Sequence, residues 1–301
     1  MNVTIRNEII QTSDNFPIAT THFSTSTKPP TRLYLIASAT GVIRKFYKSY
    51  ATYLVSNDPG SIAVTFDYRG IGDSFKDKET LKDMKYVNIK KHWVLDTETV
   101  LGHYKPVETV YIAHSVGGHI MGFLDQQLQK MIIRAFFVGV GIPYYRNLSI
   151  NFLWPMHTTI TPCFYGHYPA SMIGMGEDLP TGVGQQWGYW SRFPDYLCHN
   201  EESRTKFKQC NIPIEMIAFH DDFLPEKALY GAPSRLYVNT KRRFLYLDPK
   251  DFGFDSIGHL FFFKQSSERL WKQVNGYVLD GNLLDLPGKI YSFVPTTKNK
   301  L

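Results

Sequence analysis

The segment Tyr111-Ile112-Ala113-His114-Ser115-Val116-Gly117-Gly118 runs an apolar, strand-like stretch into a turn of small residues, and an apolar helical stretch follows from Ile120. A serine hydroxyl can attack a carbonyl when a sharp strand-to-helix turn lifts it clear of its own backbone, and small residues two before and two after it relieve the crowding. Ala113 and Gly117 fill those positions, with alanine where glycine is usual. Serine is a poor nucleophile at its free pKa, so acyl chemistry at Ser115 requires a base and a carboxylate to orient that base. The candidate base is His259, set in Ser256-Ile257-Gly258-His259-Leu260-Phe261 between a glycine and apolar residues. The candidate acid lies in His220-Asp221-Asp222-Phe223-Leu224-Pro225. Neighbouring residues at a strand end point in different directions, so one of the two aspartates is excluded; Asp222 is preferred and Asp221 is the alternative. His114, His119 and His220 lie near these motifs and are read as supporting or packing residues.

Acyl transfer also needs donors for a developing oxyanion, normally the N–H after the nucleophile and one from the loop after an early strand. Val116 supplies the first, and Thr40 or Gly41, in the small-residue loop Ser38-Ala39-Thr40-Gly41-Val42, the second. The elements that must position these groups are short apolar runs. Arg32 to Ala37, Ser61 to Phe66, Thr109 to Ala113, Arg134 to Val140, Ile214 to Phe219 and Arg243 to Leu247 read as buried strands. Phe46 to Leu54 has helical spacing, and Val3 to Ile10 with Phe16 to Phe23 reads as an opening hairpin. Such alternation predicts an α/β fold with a mostly parallel central sheet and helices on both faces. The rhythm breaks over residues 142–209, dense in Trp, Tyr, Pro and Gly, which predicts a mainly helical cap inserted between core segments 1–141 and 210–301. Trp154, Tyr165, Tyr168, Trp187 and Trp190 are its candidate pocket walls. The tail from Thr296 to Leu301 reads as frayed.

With 301 residues and 43% hydrophobic content the chain can bury a full core. The net charge of +6 is scattered, its densest runs being short ones such as Lys241-Arg242-Arg243, so a solvated surface is expected and no nucleic-acid partner. The three cysteines, Cys163, Cys198 and Cys210, lack zinc spacing and are odd in number, which argues against a disulfide framework. No stretch approaches the roughly twenty apolar residues of a membrane span. Neither a phosphate-loop lysine motif nor a strand-linked glycine fingerprint is present. The sequence thus describes a cytoplasmic protein that takes a small-molecule acyl substrate and calls for no cofactor or metal; nothing in it sets an oligomeric state.

Asp67-Tyr68-Arg69-Gly70-Ile71-Gly72-Asp73-Ser74 resembles the D-x-R-G-x-G-x-S loop of α/β-hydrolases, a turn that shapes the working edge of the sheet. SATGVIRKFY at 38–47, AHSVGGH at 113–119, GEDLPTGV with the following QW at 176–187 and IGHLFFF at 257–263 match in the same order. Over nearly its whole length the chain is similar to a bacterial subgroup of α/β-hydrolases described as serine aminopeptidase-like. The resemblance implies triad roles for Ser115, Asp222 and His259, although the loop from His220 to Pro225 is one residue shorter than usual, which keeps Asp221 open. It implies a serine hydrolase working through an acyl-enzyme, with carboxylesterase-like activity on an ester, thioester or amide. Glu177 and Asp178, the acidic pair available to hold a free amino terminus, are read as cap-loop structure. An aminopeptidase, lipase, acyltransferase or lyase on the same scaffold and a non-catalytic ligand-binding protein are the alternatives.

Overall fold

The computed structural model describes residues 2–75, 77–104, 108–148 and 153–295. Among these, nine strands form one sheet: β1 (Thr4–Gln11), β2 (Pro17–Ser24), β3 (Arg32–Ala37), β4 (Ser61–Phe66), β5 (Glu108–His114), β6 (Ile132–Val138), β7 (Ile214–Phe219), β8 (Arg242–Leu247) and β9 (Lys289–Phe293), in the order β1-β2-β4-β3-β5-β6-β7-β8-β9. The strands from β4 through β3, β5, β6 and β7 to β8 run parallel, while β1, β2 and β9 pair antiparallel at the two edges. The helices are α1 (Lys48–Asn57), α2 (Lys78–Asp83), α3 (Val94–His103), α4 (Val116–Ile120), α5 (Gln126–Gln129), α6 (Leu153–Tyr165), α7 (Thr181–Trp190), α8 (Glu201–Gln209), α9 (Glu226–Arg235) and α10 (Glu268–Asp280).

Successive residues of a strand face opposite sides, so a sheet covered on both faces must be apolar at every position. β3 shows this: Leu33, Leu35 and Ala37 join a core with α3 and α9 residues such as Val100 and Leu229, while Tyr34 and Ile36 join a second core with Tyr50 of α1 and Trp271 of α10. The predicted mostly parallel sheet is the observed one, and the bounds of β3, β4 and β7 coincide with the sequence reading. The chain between β6 and β7 carries α6, α7 and α8, and its Tyr168, Val183, Trp190 and Leu197 pack into the first of these cores and not into one of their own. A side chain at Gly188 of α7 would collide with Thr158 of α6, so glycine there lets the two helices meet closely.

Three features depart from the sequence reading. The helix after Ser115 begins at Val116, not near Ile120, because Gly117 and Gly118 are needed as helical residues against Ala37, Val140 and Phe137. The stretch predicted helical from Phe46 opens as a 3₁₀ turn (Arg44–Tyr47) before α1. β9 went unread as a strand. The tail Thr296 to Leu301 lies outside the described residues. Among the described residues no helix is long and apolar enough to cross a membrane.

The loop from Asp67 to Ser74 is a mechanical clasp. The Arg44 guanidinium pairs with buried Asp67 and, at 2.7 Å, with Asp73; Arg69 pairs with Asp96 and Asp14, each at 2.7 Å. Burial raises the Asp67 carboxyl above the ordinary range and brings that of Asp96 to about 6, against the pull of their arginines.

Candidate active site

All five loops that carry candidate residues leave the carboxyl ends of parallel strands, so the topology gathers them at one edge. Ser115 follows β5 directly, with φ +50° and ψ −113°. A non-glycine residue rarely adopts positive φ, which costs on the order of 1–3 kcal/mol and persists only where the surroundings impose it. Here they do. The Ser115 N–H donates to the Val138 carbonyl (3.0 Å), its carbonyl accepts from Gly118 (3.0 Å), and any Cβ at Gly117 would strike the Ala37 carbonyl oxygen. The turn therefore holds the hydroxyl over the sheet edge.

His259 Nδ1 lies 2.8 Å from Asp222 Oδ2, and the other Asp222 oxygen accepts the Leu224 N–H at 2.8 Å. Both side chains are nearly inaccessible, at 8% and 1%. A carboxylate only accepts, so Nδ1 carries the hydrogen, and in the neutral imidazole Nε2 is then the acceptor. Ser115 and His259 line the same cavity. Among the described residues the serine hydroxyl forms no hydrogen bond with the imidazole, a contact that in ligand-free enzymes often tightens only with substrate. Gly139, at φ +62°, leaves room for the ring: a Cβ there would sit 3.0 Å from His259 Nδ1.

Asp221 is engaged elsewhere. It accepts from the Ser256 hydroxyl (2.6 Å), the Ile257 N–H (2.9 Å) and the Gly258 N–H (3.0 Å). Burial alone would raise its carboxyl, but these bonds outweigh it and hold the carboxyl below the ordinary range. Asp221 thereby fixes the loop that presents His259, while its neighbour contacts the imidazole.

A second support comes from His114, read from the sequence as a supporting or packing residue, through a link to Tyr47 that was not legible there. His114 is fully buried, and its pKa is driven well below the ordinary histidine value by desolvation, so the ring is neutral. Its Nε2 lies 2.8 Å from the His259 carbonyl, which can only accept; Nδ1 is then an acceptor for the Tyr47 hydroxyl at 2.8 Å, whose oxygen in turn takes the Ala39 N–H at 2.9 Å. The chain of bonds ties the backbone of His259 to the loop after β3. Tyr47→Phe would strand the Ala39 N–H and His114 Nδ1, and each unpaired buried group costs about 1–3 kcal/mol. Urea unfolding is expected to show a loss of that size; an unchanged midpoint would remove the relay from the account.

On the oxyanion side, Val116 is the first residue of α4, where an N–H has no intrahelical acceptor. Val116 and Thr40 line the cavity, and the Thr40 N–H has no hydrogen-bond partner among the described residues. Gly41 is not part of that lining; its carbonyl accepts the Glu177 N–H at 2.8 Å, and a Cβ at Gly41 would fall 2.6 Å from the Met175 carbonyl.

The cavity is about 860 Å³ and predominantly apolar. Of the predicted aromatic walls, Trp154 and Trp187 line it, edge-to-face at 4.7 Å. The other three do not: Tyr168 is fully buried, Trp190 packs on Phe123 and Tyr196, and Tyr165 faces solvent. Aliphatic residues take their places, Leu148, Leu153, Ile173 and Met175 among them. Glu177 accepts the Gly72 N–H at 2.8 Å, and Asp178 accepts from the Ser171 N–H and hydroxyl and pairs with His167 at 3.2 Å. His220 stands off the site beside Tyr246 and Asp248. Among the described residues there is no group of three or more His, Cys, Asp or Glu side chains that could hold a metal ion.

No protein-family model and no curated protein matches the chain. Solved structures do. A putative hydrolase from Agrobacterium vitis superposes with a TM-score of 0.60 at 14% identity, covering 91% of this chain and 99% of that chain. An esterase from Exiguobacterium antarcticum gives 0.60 at 12%, covering 91% and 100%. A Pyrococcus furiosus esterase gives 0.57 at 14%, covering 92% and 90%. At such identities the likeness speaks for architecture alone, and together with the sheet order and the crossings on both faces it establishes that this chain has the α/β-hydrolase fold.

Proposed function

We propose that the protein is a serine hydrolase that cleaves small apolar carboxylic esters through an acyl-enzyme, with Ser115 as nucleophile, His259 as general base and Asp222 as the orienting acid. The observation that carries this is the 2.8 Å contact of buried Asp222 with His259 Nδ1, which leaves Nε2 free on the cavity shared with a serine on a positive-φ turn. Ser115 Oγ adds to the substrate carbonyl while its proton passes to His259 Nε2; the Val116 and Thr40 amides receive the negative charge on the carbonyl oxygen. His259 then gives the proton to the departing alcohol, and water, deprotonated in turn by His259, releases the acid. The excursion between β6 and β7 acts as the cap, covering the reacting centre with Trp154, Trp187 and aliphatic side chains.

Ester is favoured over peptide because Glu177 and Asp178 are committed to the loop and to neighbouring backbone, and neither lines the cavity. That argues against the aminopeptidase-like role. The test is a series of p-nitrophenyl esters beside aminoacyl p-nitroanilides. Each methylene buried is worth about 0.8 kcal/mol, so kcat/KM should climb by up to about fourfold per methylene from acetate to octanoate. A preference for the anilides, or no rise with chain length, would overturn the assignment.

A further inference from the structure

The solvent side of α6 is built the wrong way round for a water-facing helix. Its buried face is Trp154, Thr158 and Pro162, whereas Leu153, Met156, Ile160 and Phe164, spaced three and four residues apart, point outward, Phe164 at 81% exposure. Nearby Met172 and Ile173 are exposed as well. No Asp, Glu, Lys or Arg occurs between Arg146 and Glu177. Helix α8, in the same excursion, is the ordinary case: it buries Ser203 and Phe207 and turns Glu201, Glu202, Lys206 and Lys208 to water. An apolar stripe of that extent on a surface marks an interaction site.

The stripe is continuous with the mouth of the cavity. Leu153 and Ile173 belong both to it and to the cavity lining, and across the opening the exposed Phe223 and Phe261 line the same cavity. A protein seated on this face would stand over the entrance to Ser115; a sheet of acyl chains there would instead deliver substrate into it. Cations flank the stripe. Arg192 reaches Thr159 of α6 at 3.3 Å and, with Tyr145, borders a shallow groove along Met156 and Ile160, and Arg146 lies against Tyr145. Helices with one apolar face and basic flanks lie in the headgroup boundary of lipid surfaces, most strongly where these are anionic.

We propose that this face of α6 docks on an anionic lipid surface and that the substrates are acyl esters drawn from it into the cavity. The substrate half rests on the reading of Ser115 as nucleophile; the docking half does not. The test uses the full chain as Ser115→Ala, so that no lipid is consumed, floated with vesicles of four parts phosphatidylcholine to one part phosphatidylglycerol. It should float with them, and Ile160→Gln with Phe164→Gln should cut the bound fraction at least about tenfold. With Ser115 restored, the same pair should lower turnover of a long-chain ester held in those vesicles by about tenfold, yet leave turnover of dissolved p-nitrophenyl acetate within about twofold. Met172→Gln, on a separate segment, should weaken flotation in the same direction and serves if the pair fails to fold. Absence of flotation, or flotation indifferent to these substitutions, overturns the proposal. So does self-association that the pair disperses without any vesicle binding, which would give the face to a second copy of the chain. Flotation without turnover of any ester would uphold the docking face and defeat the hydrolase reading.

Discussion

Ser115→Ala is expected to lower p-nitrophenyl butyrate turnover by on the order of 10⁶-fold, and His259→Ala by a comparable factor. The two groups act as one unit: without the base the hydroxyl keeps its proton, and without the hydroxyl the base has nothing to activate. The double variant should therefore be no slower than either single one, whereas independent contributions would multiply. What remains is the background from the cavity and the Val116 and Thr40 amides. Ser115 lies on the cavity and outside the two cores, so Ser115→Ala should unfold within about 1 kcal/mol of the parent, whereas His259→Ala strands the buried Asp222 carboxylate and should lose more. A residual rate near the parent's for either variant would place the chemistry elsewhere.

Asp222→Asn is expected to cost about 10⁴-fold in turnover. An amide at this position can present a donor to Nδ1 and so stabilise the tautomer that blocks Nε2, and it carries no charge to offset an imidazolium. Asp221→Asn should behave differently. Its carboxylate accepts three bonds from Ser256, Ile257 and Gly258, so the substitution loosens the loop and moves His259 without changing its tautomer. A displacement of that kind costs at most about a hundredfold. It should also lower stability by about 1–3 kcal/mol, which Asp222→Asn need not do. Comparing kcat with the urea midpoint for the pair separates orienting the base from holding its loop. If Asp221→Asn gives the larger loss in kcat, the roles are reversed.

The sequence made legible what depends on local pattern. RLYLIA, SIAVTF and IEMIAF are predominantly apolar and flanked by polar or turn residues, and their strand limits agree with the structure. The nucleophile turn was legible because small residues flank the serine, and the acid and base loops because each follows such a strand. What escaped depends on contacts between distant segments. Val116 to Ile120 reads as a turn by its glycines, but becomes helical because those glycines admit Ala37 and Val140. Tyr47 and His114 are joined across 67 residues. Which aromatics face the cavity follows from how α6 and α7 cross at Thr158 and Gly188, so Trp154 and Trp187 line it while Tyr165, Tyr168 and Trp190 do not. Strand β9, lying at the sheet edge and mostly exposed, has too weak an alternation to be read as a strand.

In the proposed mechanism one alcohol in this chain is made nucleophilic by one imidazole held by one carboxylate. Reaction with a fluorophosphonate, followed by peptide mapping by mass spectrometry, tests it most directly. A single stoichiometric adduct is expected on the peptide containing Ser115, lost in both Ser115→Ala and His259→Ala; an adduct on another residue, or labelling that persists in the Ser115→Ala protein, would refute Ser115 as the nucleophile.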